Sequence, residues 1–174
     1  MEKILVIAAL AMVTVGAFTD FRSSRIPNWL TYTGCALAIG LRAWMGFPSI
    51  IEGVTGALLA AAVMCILFFV GGMGGGDVKM MIAVGAWVGF SHVQGVMVAA
   101  AICGGLLALI YILGTNKGRK VFANLIALLQ HHFSKGLQPH PTINIRGADG
   151  IRVPFGIAIA MGAWYWLGPG LWVR

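Results

Sequence analysis

The sequence predicts an all-α, polytopic membrane protein, on the evidence of its composition and of its long, continuous apolar runs. Of 174 residues, 59% are hydrophobic and only 10% are charged, with a mean hydropathy of +0.89. Soluble domains carry about 25% charged residues, whereas a bilayer core about 30 Å thick accepts such a chain as helices of about 20 residues. The apolar runs do not alternate with period two, which argues against a β-barrel. Each lipid-facing segment is therefore expected to be helical.

Six apolar runs define the expected spans. They cover roughly Ile4 to Thr19, Trp29 to Gly46, Ile50 to Gly72, Val78 to Phe90, Val93 to Leu113 and Val153 to Trp172. The first run resembles a secretory signal, but Glu2 offsets Lys3 and no good A-x-A cleavage site follows it. We expect it to be retained as a span. The fourth run of 13 residues reaches only about 20 Å at 1.5 Å per residue, so we expect it to be short, to extend past Ser91, or to lie where the bilayer is thin.

The basic residues predict the orientation, because cytoplasmic loops carry the excess of Lys and Arg. Nine of the 12 fall on the side of the loops after spans one, three and five, namely Arg22, Arg25, Lys79, Lys117, Arg119, Lys120, Lys135, Arg146 and Arg152. This side is expected to be cytoplasmic, with both termini outside. Anionic lipid headgroups are the expected partners of these charges. Nucleic acid is not an expected partner, because the sequence contains no recognised nucleic-acid-binding module.

The only sizeable loop runs from Gly114 to Gly150. Helical spacing of its apolar residues predicts an interfacial amphipathic helix before the last span, on Val121, Phe122, Leu125, Leu128, Leu129 and His132. The same loop could guide a substrate to an active site. It also carries His131, His132 and His140, but we expect no metal site there.

Two of the five acidic residues are predicted to form a pair. Asp20 ends the first span and Asp77 opens the fourth, so two crossings bring the chain back to the same face. Ionisable groups at membrane depth are costly and usually functional. Two aspartates in a partly dry site cannot easily both ionise, so one would hold a proton while its partner acts as a base. The alternatives are that Asp77 caps the fourth helix and that Asp20 pairs with Arg22 or Arg25.

Glycines surround Asp77 at positions 71, 72, 74, 75 and 76. They remove side chains and relax the backbone restrictions before the carboxylate. An extended peptide could therefore approach Asp77 closely.

Three segments resemble motifs of one known family. Asp20-Phe21-Arg22-Ser23-Ser24-Arg25-Ile26-Pro27-Asn28 resembles the D-x-R-x-x-x-I-P-N segment of type IV prepilin peptidases, Gly74-Gly75-Gly76-Asp77-Val78-Lys79 resembles their G-x-G-D-x-K segment, and Val153-Pro154-Phe155-Gly156 resembles their P-F-G element. The three matches occur in the family's order across nearly the whole chain.

The resemblance implies an intramembrane aspartic peptidase of the bacterial inner membrane, with Asp20 and Asp77 as the catalytic pair. Its substrates would be prepilins or pseudopilins, which carry a short leader before a single hydrophobic helix and are cut on the cytoplasmic side. No cofactor is implied. Cys35, Cys65 and Cys103 stand singly in apolar runs and cannot form the paired C-x-x-C zinc motifs of the family's bifunctional members. We therefore expect one peptidase domain over residues 1–174, without methyltransferase activity, like the short branch associated with tight-adherence (Flp) pili.

The other polar residues near the pair have open roles. Lys79 could act on Asp77 or a substrate carbonyl, but anchoring at the headgroups is the preferred interpretation, and Arg22 and Arg25 share this ambiguity. Asn28 is expected to cap the second helix or to fix the loop that holds Asp20. Arg42 and Glu52 lie near the outer ends of spans two and three, away from the two aspartates. We expect them to form a structural pair there.

Two other functions are compatible with the sequence. A small transporter could use the two aspartates as a proton or cation relay, although no acid lies at mid-membrane and no inverted repeat is evident. A non-catalytic component of a pilus or secretion assembly would have no evident need for both carboxylates. The oligomeric state is not specified by the sequence.

Overall fold

The computed structural model describes residues 2–115 and 154–172, with a few single positions between them. Within these residues it contains six α-helices and no strand, which confirms the all-α prediction. The helices are α1 (Glu2–Ser23), α2 (Asn28–Met45), α3 (Phe47–Phe69), α4 (Gly75–Val88), α5 (Phe90–Thr115) and α6 (Phe155–Trp172). The amphipathic helix expected between Gly114 and Gly150 falls outside the described ranges.

Three of these helices are long and apolar enough to cross a membrane, judged by length and composition. They contain the spans Lys3–Ser23, Phe47–Phe69 and Phe90–Gly114, and α6 adds the shorter apolar segment Phe155–Leu171. Large apolar side chains cover the outer surface; Trp44, for example, is 86% exposed. Such a surface suits lipid rather than water. The chain is an integral membrane protein.

The short helix α4 lies at the centre of the bundle. It contacts α1, α2, α3, α5 and α6, while the other five helices contact one another in the order α1, α2, α3, α5, α6 and back to α1. Accordingly, Met80, Met81, Val84 and Trp87 are all buried. The fourth apolar run thus forms a short helix of 14 residues, which the other five described helices enclose.

Small residues allow the central helix to pack closely against α3. A Cβ atom built on Gly56 of α3 would stand 2.5 Å from the carbonyl oxygen of Gly85 on α4. The reverse substitution at Gly85 would overlap the backbone of Gly56. The two backbones are thus in direct contact, as is common where membrane helices meet through small residues.

Candidate active site

Asp20 lies near the end of α1 and is held there by the beginning of α6. Its side chain is 7% exposed, and the backbone N–H of Gly156 donates a 2.9 Å hydrogen bond to Oδ2. Gly156 is in the first turn of α6, where backbone N–H groups have no partner within the helix and readily bind an anion. A Cβ atom at position 156 would stand 2.8 Å from that oxygen. The glycine is therefore needed for this close approach. The resemblance to the P-F-G element pointed to Gly156 but did not indicate this role.

Asp77 lies in the first turn of α4 and is partly buried. The N-cap of this helix is Gly74, whose backbone is extended (φ −79°, ψ 147°) and which makes no side-chain capping bond. The alternative in which Asp77 is the N-cap residue of the fourth helix is therefore wrong. A Cβ atom at position 74 would stand 3.0 Å from Asp77 Oδ2, so glycine here leaves room for the carboxylate.

The two carboxylates line one cavity of about 750 Å³. Its walls are the connection between α1 and α2, the glycine-rich connection between α3 and α4, the middle of α5, and Pro154 and Phe155 at the start of α6. Asp20 and Asp77 are also close enough to interact electrostatically. Two carboxylates in such a site favour a state in which the pair keeps one proton. The arrangement can therefore provide a base and an acid side by side.

Residues near the pair shape this cavity. Arg25, Asn28, Gly75 and Gly76 line it together with Gly74. A Cβ atom on Gly76 would stand 3.3 Å from Ile26 Cβ, so the absence of a side chain lets the α1–α2 connection lie against α4. Arg22 and Arg25 are both exposed.

Lys79 and Asn28 join α4 to α2. Lys79 Nζ donates a 3.0 Å hydrogen bond to Asn28 Oδ1 and lies 5.1 Å from the centroid of the Tyr32 ring. The expectation that Asn28 caps α2 is wrong, because the N-cap is Pro27 and no side chain caps this helix. Neither residue offered a sequence signal for this contact, which spans 51 positions.

The described residues contain no group of three or more His, Cys, Asp or Glu side chains that could hold a metal ion. Cys35, Cys65 and Cys103 are separate free thiols. The three histidines of the long loop fall outside the described ranges.

Comparison with known proteins identifies the family. Residues 7–109 match the type IV leader peptidase family, a segment that contains both Asp20 and Asp77. The chain belongs to this family. Two proteins named prepilin leader peptidase/N-methyltransferase, from Burkholderia pseudomallei strains 1026b and K96243, are each 30% identical to it over 122 residues. The aligned region is 66% of this chain but 37% of either relative, so the chain spans little more than a third of their length. No solved structure matches.

Proposed function

We propose that the protein is an aspartic endopeptidase that removes the leader peptide of type IV prepilins or pseudopilins within the membrane. The observation that carries this proposal is the shared cavity of Asp20 and Asp77, in a chain of the leader peptidase family. The cavity volume of about 750 Å³ lies within the usual range for ligand sites.

The proposed chemistry uses the two carboxylates as one unit. The ionised carboxylate takes a proton from water, and the water oxygen attacks the scissile carbonyl, which the protonated partner polarises. The carboxyl group that took the proton from water then gives it to the leaving nitrogen as the C–N bond of the tetrahedral intermediate breaks. Because the two carboxyl groups share one proton, they titrate as a unit. The Gly156 N–H bond keeps Asp20 in a fixed orientation during these steps.

The proposed substrates are Flp-type prepilins with a single hydrophobic helix. The excess of basic residues on the side of Arg22, Arg25 and Lys79 supports a cytoplasmic active site in the inner membrane, with both termini outside. A cut on that face would separate the leader from the helix that stays in the bilayer. A single peptidase domain over residues 1–174 completes the proposal.

Co-expression with a candidate Flp prepilin tests the function. Leader removal, followed by mass spectrometry of the pilin, is expected in the wild type and lost in both Asp20→Asn and Asp77→Asn. Asparagine keeps the size of the side chain but removes the base. Asp149 is the third aspartate of the chain, so Asp149→Asn is the matched control and is expected to cleave normally. Processing that survives both site variants would refute the peptidase and favour the transporter or the non-catalytic component.

A further inference from the structure

The buried guanidinium of Arg42 holds the end of α4 that is opposite to Asp77. Arg42 lies on α2 and is only 6% exposed. Its Nε donates to the carbonyl oxygen of Ala86 at 2.8 Å and its Nη2 to that of Trp87 at 2.9 Å. Its Nη1 donates to the carbonyl oxygen and to Oγ of Ser49, at 3.0 and 3.3 Å. One side chain thus binds the last turn of α4 and the first turn of α3.

This contact supplies hydrogen-bond donors to carbonyl groups at the end of the short central helix. The last four carbonyls of any helix lack partners within it, and α4 ends inside the bundle. A cation at a helix C-terminus is also favoured by the helix dipole. The chain then turns sharply at Gly89, whose φ of +78° is unfavourable for other residues.

Glu52 of α3 completes the arrangement. It accepts hydrogen bonds from the hydroxyl and the backbone N–H of Ser91, at 2.9 and 3.4 Å. Glu52 therefore binds the first turn of α5. A Cβ atom at Gly89 would stand 2.6 Å from Glu52 Oε2 and 3.1 Å from Arg42 Nη2. Both charged groups therefore lie against Gly89, and each also binds a helix end. We call Arg42, Ser49 and Glu52 the Arg42 clamp.

We propose that the Arg42 clamp is a positioning device for Asp77, an inference that rests on the proposed peptidase function. Asp77 and Ala86 are nine residues apart on one helix, about 14 Å at 1.5 Å per residue. A rotation or sliding of α4 at the clamped end therefore moves Asp77 at the other end. Asp20 does not follow this motion, because α6 holds it through Gly156. The clamp fixes the relative placement of the two carboxylates without touching the substrate.

The test compares Arg42→Gln and Arg42→Lys with wild type, purified in lipid nanodiscs and assayed on a prepilin. Because a misplacement of 1 Å can cost about 100-fold in rate, kcat of Arg42→Gln is expected to fall about 100-fold while KM stays within about twofold. Arg42→Lys is expected to recover part of the rate, since it keeps the charge but loses the planar fork. The pH profile of kcat should also shift, because the coupling of the pair changes.

Leu167→Ala is the matched control. Leu167 is 3% exposed on α6, and its truncation lowers stability without removing any hydrogen bond of the clamp. It is expected to keep the wild-type kcat and pH profile per folded molecule. Hydrogen exchange of the segment from Gly75 to Phe90 gives a readout that does not need activity. This segment should exchange faster in Arg42→Gln than in Leu167→Ala.

The outcomes separate the two proposals. If wild type cleaves and Arg42→Gln matches it in kcat and pH profile per folded molecule, or changes only as Leu167→Ala does, the positioning inference is overturned. If Arg42→Gln fails to fold, Arg42→Lys and the milder Glu52→Gln carry the same comparison. If wild type cleaves no prepilin, the proposed function fails, and unchanged exchange of α4 in the Arg42 variants would overturn the clamp independently.

Discussion

Asp20 Oδ2 accepts a 2.9 Å hydrogen bond from the backbone N–H of Gly156, 136 residues further along the chain. This bond joins the end of α1 to the beginning of α6 at the wall of the cavity. It gives a physical role to the last of the three motifs, because a residue with a side chain at position 156 would displace the carboxylate. Four consequences of the site and its surroundings can be measured.

Gly156→Ala is expected to impair cleavage strongly. The added Cβ would stand 2.8 Å from Asp20 Oδ2, so the carboxylate must move, and we expect kcat to fall by about 10- to 100-fold. Purified protein and a prepilin substrate provide the measurement. Gly170→Ala is the matched control on the same helix, because a Cβ there meets nothing within 4 Å. Equal activity of the two variants would contradict the role of Gly156.

The rate of cleavage is expected to show a bell-shaped dependence on pH. The pair must hold one proton, so activity falls at low pH when both carboxylates are protonated and at high pH when both are ionised. Initial rates across the pH range of stable protein test this. A rate that rises steadily and stays high would show that no protonated carboxyl group is required.

Ala108→Leu is expected to obstruct the substrate. Ala108 is the α5 residue that lines the cavity together with Gly104, and a larger side chain would fill part of that volume. We expect kcat/KM to fall at least about tenfold, with thermal stability nearly unchanged. Ala101→Leu, at an exposed position about two turns earlier on α5 and outside the cavity lining, serves as the control. Similar loss in both variants would point to a general effect on α5.

Lys79→Met is expected to affect stability more than chemistry. The ammonium binds Asn28 and the Tyr32 ring, so its loss should cost about 1 kcal/mol in the free energy of unfolding and leave kcat within about threefold. Asn28→Ala and the double variant complete a double-mutant cycle, in which the shared hydrogen bond should appear as non-additivity. A 100-fold loss of kcat in Lys79→Met would instead place Lys79 in the chemistry.

The sequence was sufficient for the features that depend on local pattern. Continuous apolar runs predicted six helices, because backbone N–H and C=O groups in lipid must form their hydrogen bonds within the protein. The structure has helices at all six places. Counting the crossings between Asp20 and Asp77 placed both at the same end of the bundle, and both line one cavity.

The tertiary structure alone decided which groups meet. Hydropathy could not reveal that α4 is central or that Gly156 holds Asp20. Nor could it reveal that Asn28 binds Lys79 instead of capping α2, or that Arg42 of α2 binds the last turn of the helix that bears Asp77. Each of these contacts joins residues more than 40 positions apart. Local sequence determines whether a segment is helical and apolar, but which side chain reaches which helix end depends on how the helices pack.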